Sequence, residues 1–376
     1  MNILINASNV RFGGGVTLAK NIIKSLQSSG KIDVIYILAP RDVGYEEFES
    51  ERIKISYVKD SFHHNYLNKF FTNNFVFPRI ARKLRVDKVF SLGNVAFPSK
   101  VPHIVLLQNA YFFYPESEIW NRLGFKELIK TKLLRAYGIF HLRFANVFVT
   151  QTEVMKKRLS EQLNINEEKI YVMPNVVSYH SSVSQSSKVN LPEAKEIKLL
   201  FLSKFYVHKN FNILLPLAKL IQKEKSNLRI DLSLFVEENS STRALHKSIS
   251  DNGVEDIIRF IGNISHEDIN ETLSRYDGLF LPSILESYSG SYLEAMQAQT
   301  SIFTSDMDFA HAVCKDAAFY FNPNDANSIF KTITEAFDNK LEIKNRINKG
   351  NEILKDLPKW QDLDDMIYKA IIDAKD

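Results

Sequence analysis

Val34-Ile35-Tyr36-Ile37-Leu38 is an unbroken apolar run, with no polar residue at alternate positions. A strand with one solvated face alternates, whereas a strand covered on both faces reads as a continuous apolar run. Similar short runs at 2–7, 33–39, 54–58, 88–92, 103–107 and 146–150 predict strands. Between them, 15–29, 65–84, 122–143 and 153–163 carry apolar residues at helical spacing. Strands alternating with helices make a largely parallel α/β sheet. The pattern stops at Tyr179–Glu193, a Ser-rich stretch without apolar periodicity that reads as a linker. It resumes with strands expected at 197–203, 229–236, 257–261, 277–281, 301–304 and 318–321. Helices are expected at 209–225, 241–251, 266–275, 290–298, 325–338 and 340–355. The expectation is two doubly wound domains, residues 1–178 and 195–358, joined by 179–194. The amphipathic segment after Pro358, 360–376, either stays with the second domain or completes the first.

A chain of 376 residues exceeds one ordinary core, which agrees with two domains. No apolar stretch approaches the ~20 residues that span a bilayer. The opening Met1–Asn6 lacks a basic region and cleavage site and is expected to be a strand, not a leader. A single cysteine, Cys314, excludes an intramolecular disulfide and fits a reducing cytoplasm, where it would fill apolar space. The formal net charge of +4 is unevenly spread: residues 1–176 carry +10 and the remainder −6. The basic half is suited to an anionic partner. No nucleic-acid recognition motif accompanies it, and its aromatics fall at core-like spacing, so a nucleic acid is not the expected partner.

Three segments carry chemistry. Arg11-Phe12-Gly13-Gly14-Gly15-Val16 lies between the first strand and a helix; glycines admit a close ligand, and a helix N-terminus presents N–H groups to an anion. The spacing is not G-x-G-x-x-G, and no Walker lysine follows. Lys204 and Lys209 follow the first strand of the second half, two point charges suited to a diphosphate. Glu286-Ser-Tyr-Ser-Gly-Ser-Tyr-Leu-Glu294 follows the apolar run Leu279–Leu281. If 289–297 is helical, Glu286 lies in a loop at a strand's carboxyl edge and Glu294 in the next helix, where carboxylates can accept from vicinal hydroxyls. A surface loop with one solvated and one capping glutamate is the competing reading.

In this order, the segments resemble those of the retaining family 4 glycosyltransferases (glycosyl transferases group 1) of the GT-B superfamily. Gly13–Gly15, Pro174-Asn175, Lys204 with Lys209, Pro282-Ser283 and Glu286 with Glu294 carry the resemblance. So do 260–265, akin to a loop near the nucleobase, and 317–323, akin to the strand and turn after the motif helix. The resemblance implies two Rossmann-like domains facing a central cleft. It implies transfer of a hexose from a GDP-mannose or UDP-sugar donor to a glycan or polyprenyl-diphosphate-linked acceptor in O-antigen, capsule or lipopolysaccharide synthesis. Glu286, Lys204 and Lys209 would serve catalysis. Gly14, Gly15, Ile264, Ser289, Gly290, Ser291 and Glu294 would join them in holding the donor. Gln108 and Asn109 would lie on the acceptor side. No metal or other cofactor is implied.

Three departures stand out: Lys204 replaces the family's usual Arg, Ser289 its usual Gly, and Gln108-Asn109 a usual His. The last leaves a catalytically degenerate nucleotide-sugar-binding or partner subunit as the alternative. Asp306-Met307-Asp308 is expected to be a loop with an N-cap, not a metal site. No histidine pairing has ligand spacing; His63-His64 is expected to be a polar loop, and His208 either a phosphate contact or a solvated side chain. Two basic amphipathic segments, 122–143 and 66–85, are candidates for an anionic membrane surface. Peripheral attachment to the inner face of the plasma membrane is the corresponding expectation; an apolar stripe turned to the core is the competing one.

Overall fold

The computed structural model describes residues 1–11, 13–28, 30–59, 66–174 and 196–375. The expected linker 179–194, His63-His64, Phe12 and Asn175 lie outside them. The chain divides into two compact units: Met1–Pro115, Gly124–Val176 and Pro358–Asp376 form the first, Glu116–Leu123 and Val177–Leu357 the second. Each is a wholly parallel α/β sheet, as the apolar runs require.

The first unit has seven strands: β1 (Asn2–Asn6), β2 (Val34–Ala39), β3 (Ile53–Tyr57), β4 (Lys88–Ser91), β5 (His103–Leu106), β6 (Val147–Thr150) and β7 (Ile170–Val172). Their spatial order is β3-β2-β1-β4-β5-β6-β7. Chain direction across the sheet reverses between β1 and β4, and ligands of such sheets bind at the carboxyl ends flanking a reversal. Both faces are covered. Ile3, Ile5 and Ile37 enter one core with Ile22 and Ile23 of the helix Gly14–Ser28. Leu4, Leu38 and Val89 enter another with Phe77 and Phe97. The three-residue β7 was not expected; it is too short for a periodic signal.

The last helix, Trp360–Asp373, belongs to the first unit. Leu363, Ile367, Ala370 and Ile371 are buried in the same core as β1 and β2. Lys88 caps its carboxyl end, donating to the carbonyls of Ile371, Ile372 (3.1 Å) and Ala374 (2.7 Å). A cation on the last carbonyls satisfies acceptors that helix geometry leaves open. Tyr171 Oη donates to Asp373 at 2.5 Å.

The second unit has six strands: β8 (Ile197–Phe201), β9 (Leu228–Leu232), β10 (Ile258–Phe260), β11 (Gly278–Leu281), β12 (Ser301–Ser305) and β13 (Ala318–Phe321). They run in the order β10-β9-β8-β11-β12-β13, with the reversal between β8 and β11. Leu199, Leu200, Phe201, Leu279, Phe280 and Phe303 are fully buried.

Several helices differ from expectation. The segment 65–84 is interrupted by a wider π-type turn, Thr72–Val76, just before Pro78. A proline has no N–H to continue the α ladder, and a local widening accommodates it. The segment 122–143 breaks at Leu123-Gly124, both extended, into Ile119–Arg122 and Phe125–Leu142. The helix expected from 209 starts at Leu214, after two tight turns flanking Asn210, whose φ is +62°. Asp306-Met307-Asp308 leads into an unexpected helix, Asp308–Cys314, whose side chains supply no cap. Cys314 is buried.

Leu363→Ala opens a cavity in the first unit's core and should cost about 2–5 kcal/mol, the usual range for such truncations. Urea unfolding of the first unit's transition measures it.

Candidate active site

In the second unit, two loops leave the sheet on either side of its reversal. The loop after β8 carries Lys204, Phe205, Tyr206, Val207, His208 and Lys209; the loop after β11 carries Pro282 to Ser289. A backbone hydrogen bond fastens them, Ile284 N–H donating to the His208 carbonyl at 2.8 Å. Aromatic stacking holds the first loop to the sheet: Phe211 lies between Phe201 and Phe205, with ring centroids 4.5 and 4.6 Å away. The fastening brings Lys209 and Glu286 into a largely buried ion pair through Nζ and Oε1. Glu286 is therefore not the solvated loop glutamate of the competing reading. An ammonium has three donors, so Lys209 can hold Glu286 and still present N–H groups elsewhere. Lys204 is exposed just beyond the end of β8.

His208 is enclosed beside this pair. Burial draws its pKa down to about 4, with Glu286 opposing and Lys209 adding to the shift. It is neutral at pH 7 and meets an anion as a hydrogen-bonding group, not as a fixed charge. The ring stacks on Tyr206 at 5.3 Å, so it is not the solvated loop side chain either.

The site helix is Gly290–Gln297. Tyr292, fully buried, anchors it to the sheet: its hydroxyl pairs with Thr304 Oγ1 at 2.8 Å, and Thr304 Oγ1 reaches the Leu281 carbonyl at 3.0 Å. Ser289 is buried at the N-cap position, though its hydroxyl does not cap the helix. Gly290 is exposed, and a Cβ there would meet no atom within 4 Å. The first N–H groups of a helix have no intrahelical partner, so Gly290, Ser291 and the open space beside them can receive an anion or a hydroxyl. Ser283 Oγ and Tyr288 Oη, on the preceding loop, are buried without a hydrogen-bond partner among the described residues. Buried polar atoms in that condition are uncommon outside functional sites.

Glu294 lies one turn into the helix. Burial pushes its carboxyl above the ordinary value, against the opposing effects of His266 and a hydrogen bond with Ser291. His266 Nδ1 stands 3.9 Å from Glu294 Oε1. His266 directly follows the loop 261–265 that holds half-buried Ile264, so the expected nucleobase loop and the second glutamate share a neighbourhood. The sequence reading stopped one residue short, at Ser265. Gly262 lies in that loop with φ +82°, and a Cβ would come 2.7 Å from the ring of Phe235, so glycine is required.

Sequence reasoning also missed a polar knot beneath Lys209. Asn210 is buried in the left-handed region, which asparagine tolerates better than most residues. Its amide donates to the Pro323 carbonyl at 2.7 Å and accepts from Arg122 Nη1 at 2.5 Å. Arg122 also contacts Asn324 and Glu118, and Asn324 donates to both Glu118 oxygens at 2.9 Å. Arg122, expected on a membrane-facing helix, is turned into this knot. Two of its partners, Asn210 and Asn324, lie 88 and 202 residues away, beyond any local signal.

The remaining candidates lie in the first unit. Gly13, with φ +63°, opens the helix Gly14–Ser28; Gly14 faces open space, and a Cβ on Gly15 would touch Gln108 Oε1 at 3.5 Å. Asn94, following β4, accepts from the backbone N–H groups of Gln108 and of Asn109, the latter at 2.8 Å. Glycine loop, Asn94 and Gln108 thus converge where β1, β4 and β5 end. The Asn109 side chain is occupied as a cap, accepting from Tyr111 N–H at 3.0 Å. His103 of β5 is fully buried, drawn to about 3 by burial and hydrogen-bonded to Ser91 at 2.8 Å, so it is a core group. Asp306 accepts from His311 Nε2 at 2.7 Å. Among the described residues, no group of three or more His, Cys, Asp or Glu could hold a metal ion.

Two family models match: Glycosyltransferase Family 4 over residues 12–180, and Glycosyl transferases group 1 over residues 183–353. The chain belongs to this glycosyltransferase family, with the GT-B fold. It is 24% identical to the O-antigen chain mannosyltransferase RfbU of Salmonella typhimurium over 217 residues, 58% of this chain and 55% of that protein. The match thus spans about half the length of that relative. Sucrose-phosphate synthase from Thermosynechococcus elongatus has the same fold, with a TM-score of 0.73, 14% identity and complete coverage of both chains. So does Anabaena HepE in complex with UDP-glucose, with a TM-score of 0.71, 14% identity and 98% coverage of each chain.

The raised pKa of Glu294 has a consequence for stability. The folded state resists ionisation that the unfolded chain accepts, so stability is lost as pH rises through the ordinary value of 4.5 and above. Glu294→Gln should match the wild type at acid pH and be the more stable protein near neutrality. Thermal unfolding midpoints across that window measure the difference.

Proposed function

We propose that the second unit binds a nucleotide-diphosphate sugar and that the enzyme transfers its hexose, with retention, to a glycan or lipid-linked saccharide. The observation that carries this reading is the buried Lys209–Glu286 pair at the sheet reversal, beside the open N-terminus of the Glu294 helix. Cations and helix N–H groups suit a diphosphate, and carboxylates suit vicinal hydroxyls.

The C1–O bond to the diphosphate breaks, and the electron pair leaves with the phosphate. The acceptor oxygen bonds to C1, and its proton passes to a phosphate oxygen, so no protein base is needed. Lys204 and Lys209 meet the charge that grows on the leaving group, an interaction stronger in the transition state than before it. Gly14 and Gly15, at a helix N-terminus, offer N–H groups that also suit an anion. Glu286 orients the sugar hydroxyls, held in place by Lys209. Glu294 receives the ribose hydroxyls. Its burial favours a hydrogen-bonded partner, and the Ile264 loop flanks the base. Ser289, Gly290 and Ser291 complete the donor contacts. Gln108 and Asn109 lie on the acceptor side.

The similarity to an O-antigen mannosyltransferase supports a cell-surface polysaccharide as the product and mannose as the sugar, with GDP-mannose the donor that the family resemblance offers. The fold shared with a UDP-glucose complex keeps UDP-sugars alongside it. A second reading, a non-catalytic sugar-nucleotide-binding subunit, is favoured by Gln108-Asn109, where the family resemblance implies a usual histidine.

The test is a thermal-shift series with UDP, GDP, ADP and their sugar conjugates, with and without EDTA, followed by donor turnover. One nucleotide family should stabilise the wild type and not Glu294→Ala, with EDTA making no difference. Lys209→Ala should lower kcat on the order of 10²–10³-fold, as removal of one charge-stabilising donor does. No shift with any nucleotide overturns the donor site; a shift without turnover leaves the partner-subunit reading.

A further inference from the structure

The first unit exposes an apolar surface that its own core does not use. Among the described residues, nine of the fifteen exposed large hydrophobics lie on two neighbouring helical segments, 66–83 and 125–142. On the second, Phe125 is 78% exposed and Leu133 65%, with Ile129 and Phe140 on the same stripe. Steps of four, four and seven residues return to one face of a 3.6-residue helix. That stripe is turned away from the core, since the buried residues Gly138, His141 and Leu142 lie on the other side. On the first segment, Leu67 is 79% exposed and Phe71 56%, with Phe70 and Phe75 beside them. The segments touch, Asn73 Nδ2 donating to Tyr137 Oη at 2.9 Å and the Phe70 and Tyr137 rings lying 6.2 Å apart. Their apolar side chains therefore form one surface. Water-exposed aromatic clusters of this extent mark a binding face.

Charge narrows the occupant. Lys126, Lys130, Lys132 and Arg143 line the second segment, whose sole carboxylate, Glu127, pairs with Lys130 at 3.3 Å. Arg79, Arg82 and Lys83 lie on the first and Arg85 just follows it, and 66–85 contains no acidic residue. A second copy of the same face would set like charges against each other. A surface that is apolar inside and anionic at its rim suits both features, and phospholipid headgroups above acyl chains have that character. We propose that this two-helix face docks on an anionic phospholipid bilayer, with Phe71, Phe125 and Leu133 entering the headgroup region and the flanking lysines and arginines meeting lipid phosphates. No helix among the described residues is long and apolar enough to cross a membrane, so the attachment is to the surface. This inference rests on the face alone and not on the donor chemistry.

Flotation of the full chain, without substrate, tests it. Vesicles of phosphatidylcholine with phosphatidylglycerol should carry the wild type upward, and vesicles of phosphatidylcholine alone should not. Raising salt from ~0.1 M to ~1 M shortens the Debye length from about 10 to about 3 Å and should weaken the binding. Lys126→Ala with Lys132→Ala should lose about 25-fold in affinity, at about fivefold per cation. Phe125→Ser with Leu133→Ser should lose more than about tenfold. Both double variants replace exposed side chains, and unchanged thermal unfolding midpoints establish that they fold. Failure of the wild type to float with anionic vesicles overturns the proposal, as does equal binding by the variants. Self-association of the wild type, abolished by Phe125→Ser with Leu133→Ser, would show the face to be a copy-to-copy interface instead.

Discussion

A buried ion pair is costly to place, because both charges leave water and their attraction must repay the loss. Lys209 and Glu286 meet this demand because their loops are held by contacts other than the pair itself. The Ile284-to-His208 hydrogen bond fixes one loop against the other, and the stacked Phe201, Phe211 and Phe205 fix the lysine loop to its strand. The knot of Asn210, Arg122, Glu118 and Asn324 then determines how the chain leaves Lys209. The same crowding keeps His208 neutral, leaving the permanent positive charge of this corner to lysine.

The parallel sheet supplies the geometry for all of this. Strands that run the same way deliver their following loops to one edge, and the reversal between β8 and β11 parts the helices there. The site helix is then pinned from below by Tyr292 on Thr304 rather than by its own cap. Its N-terminus is consequently left available, and Glu294 sits where burial disfavours its charge. Stability is given up at that glutamate in the way functional sites commonly show.

The first unit divides its polar groups differently. Asn6, Ser91 and His103 form a buried chain between adjacent strands, satisfied within the core. Gly13, Asn94 and Gln108 lie just beyond the strand ends, where backbone and side-chain groups face outward. Its last helix comes from the far end of the chain and is held by Lys88 on its terminal carbonyls. The unit's surplus apolar residues, by contrast, sit on two helices that bury little of them.

The sequence alone determined the class of fold, because continuous apolar runs such as 34–38 suit only strands covered on both faces. It also marked Lys209, Glu286 and Glu294, since their spacing from a strand end and a helix start is local. Elements without a local period escaped it: β7 has three residues, and the helix Asp308–Cys314 follows a pair of aspartates that read as a loop. Tertiary structure decided what long-range contact decides. Arg122 and Asn210 are brought together across 88 residues, and His266 is brought to Glu294 by the meeting of a loop with the site helix. It also decided the direction of the Phe125–Leu142 stripe. Periodicity shows that a helix has an apolar face, but whether that face is buried depends on which neighbours remain to cover it.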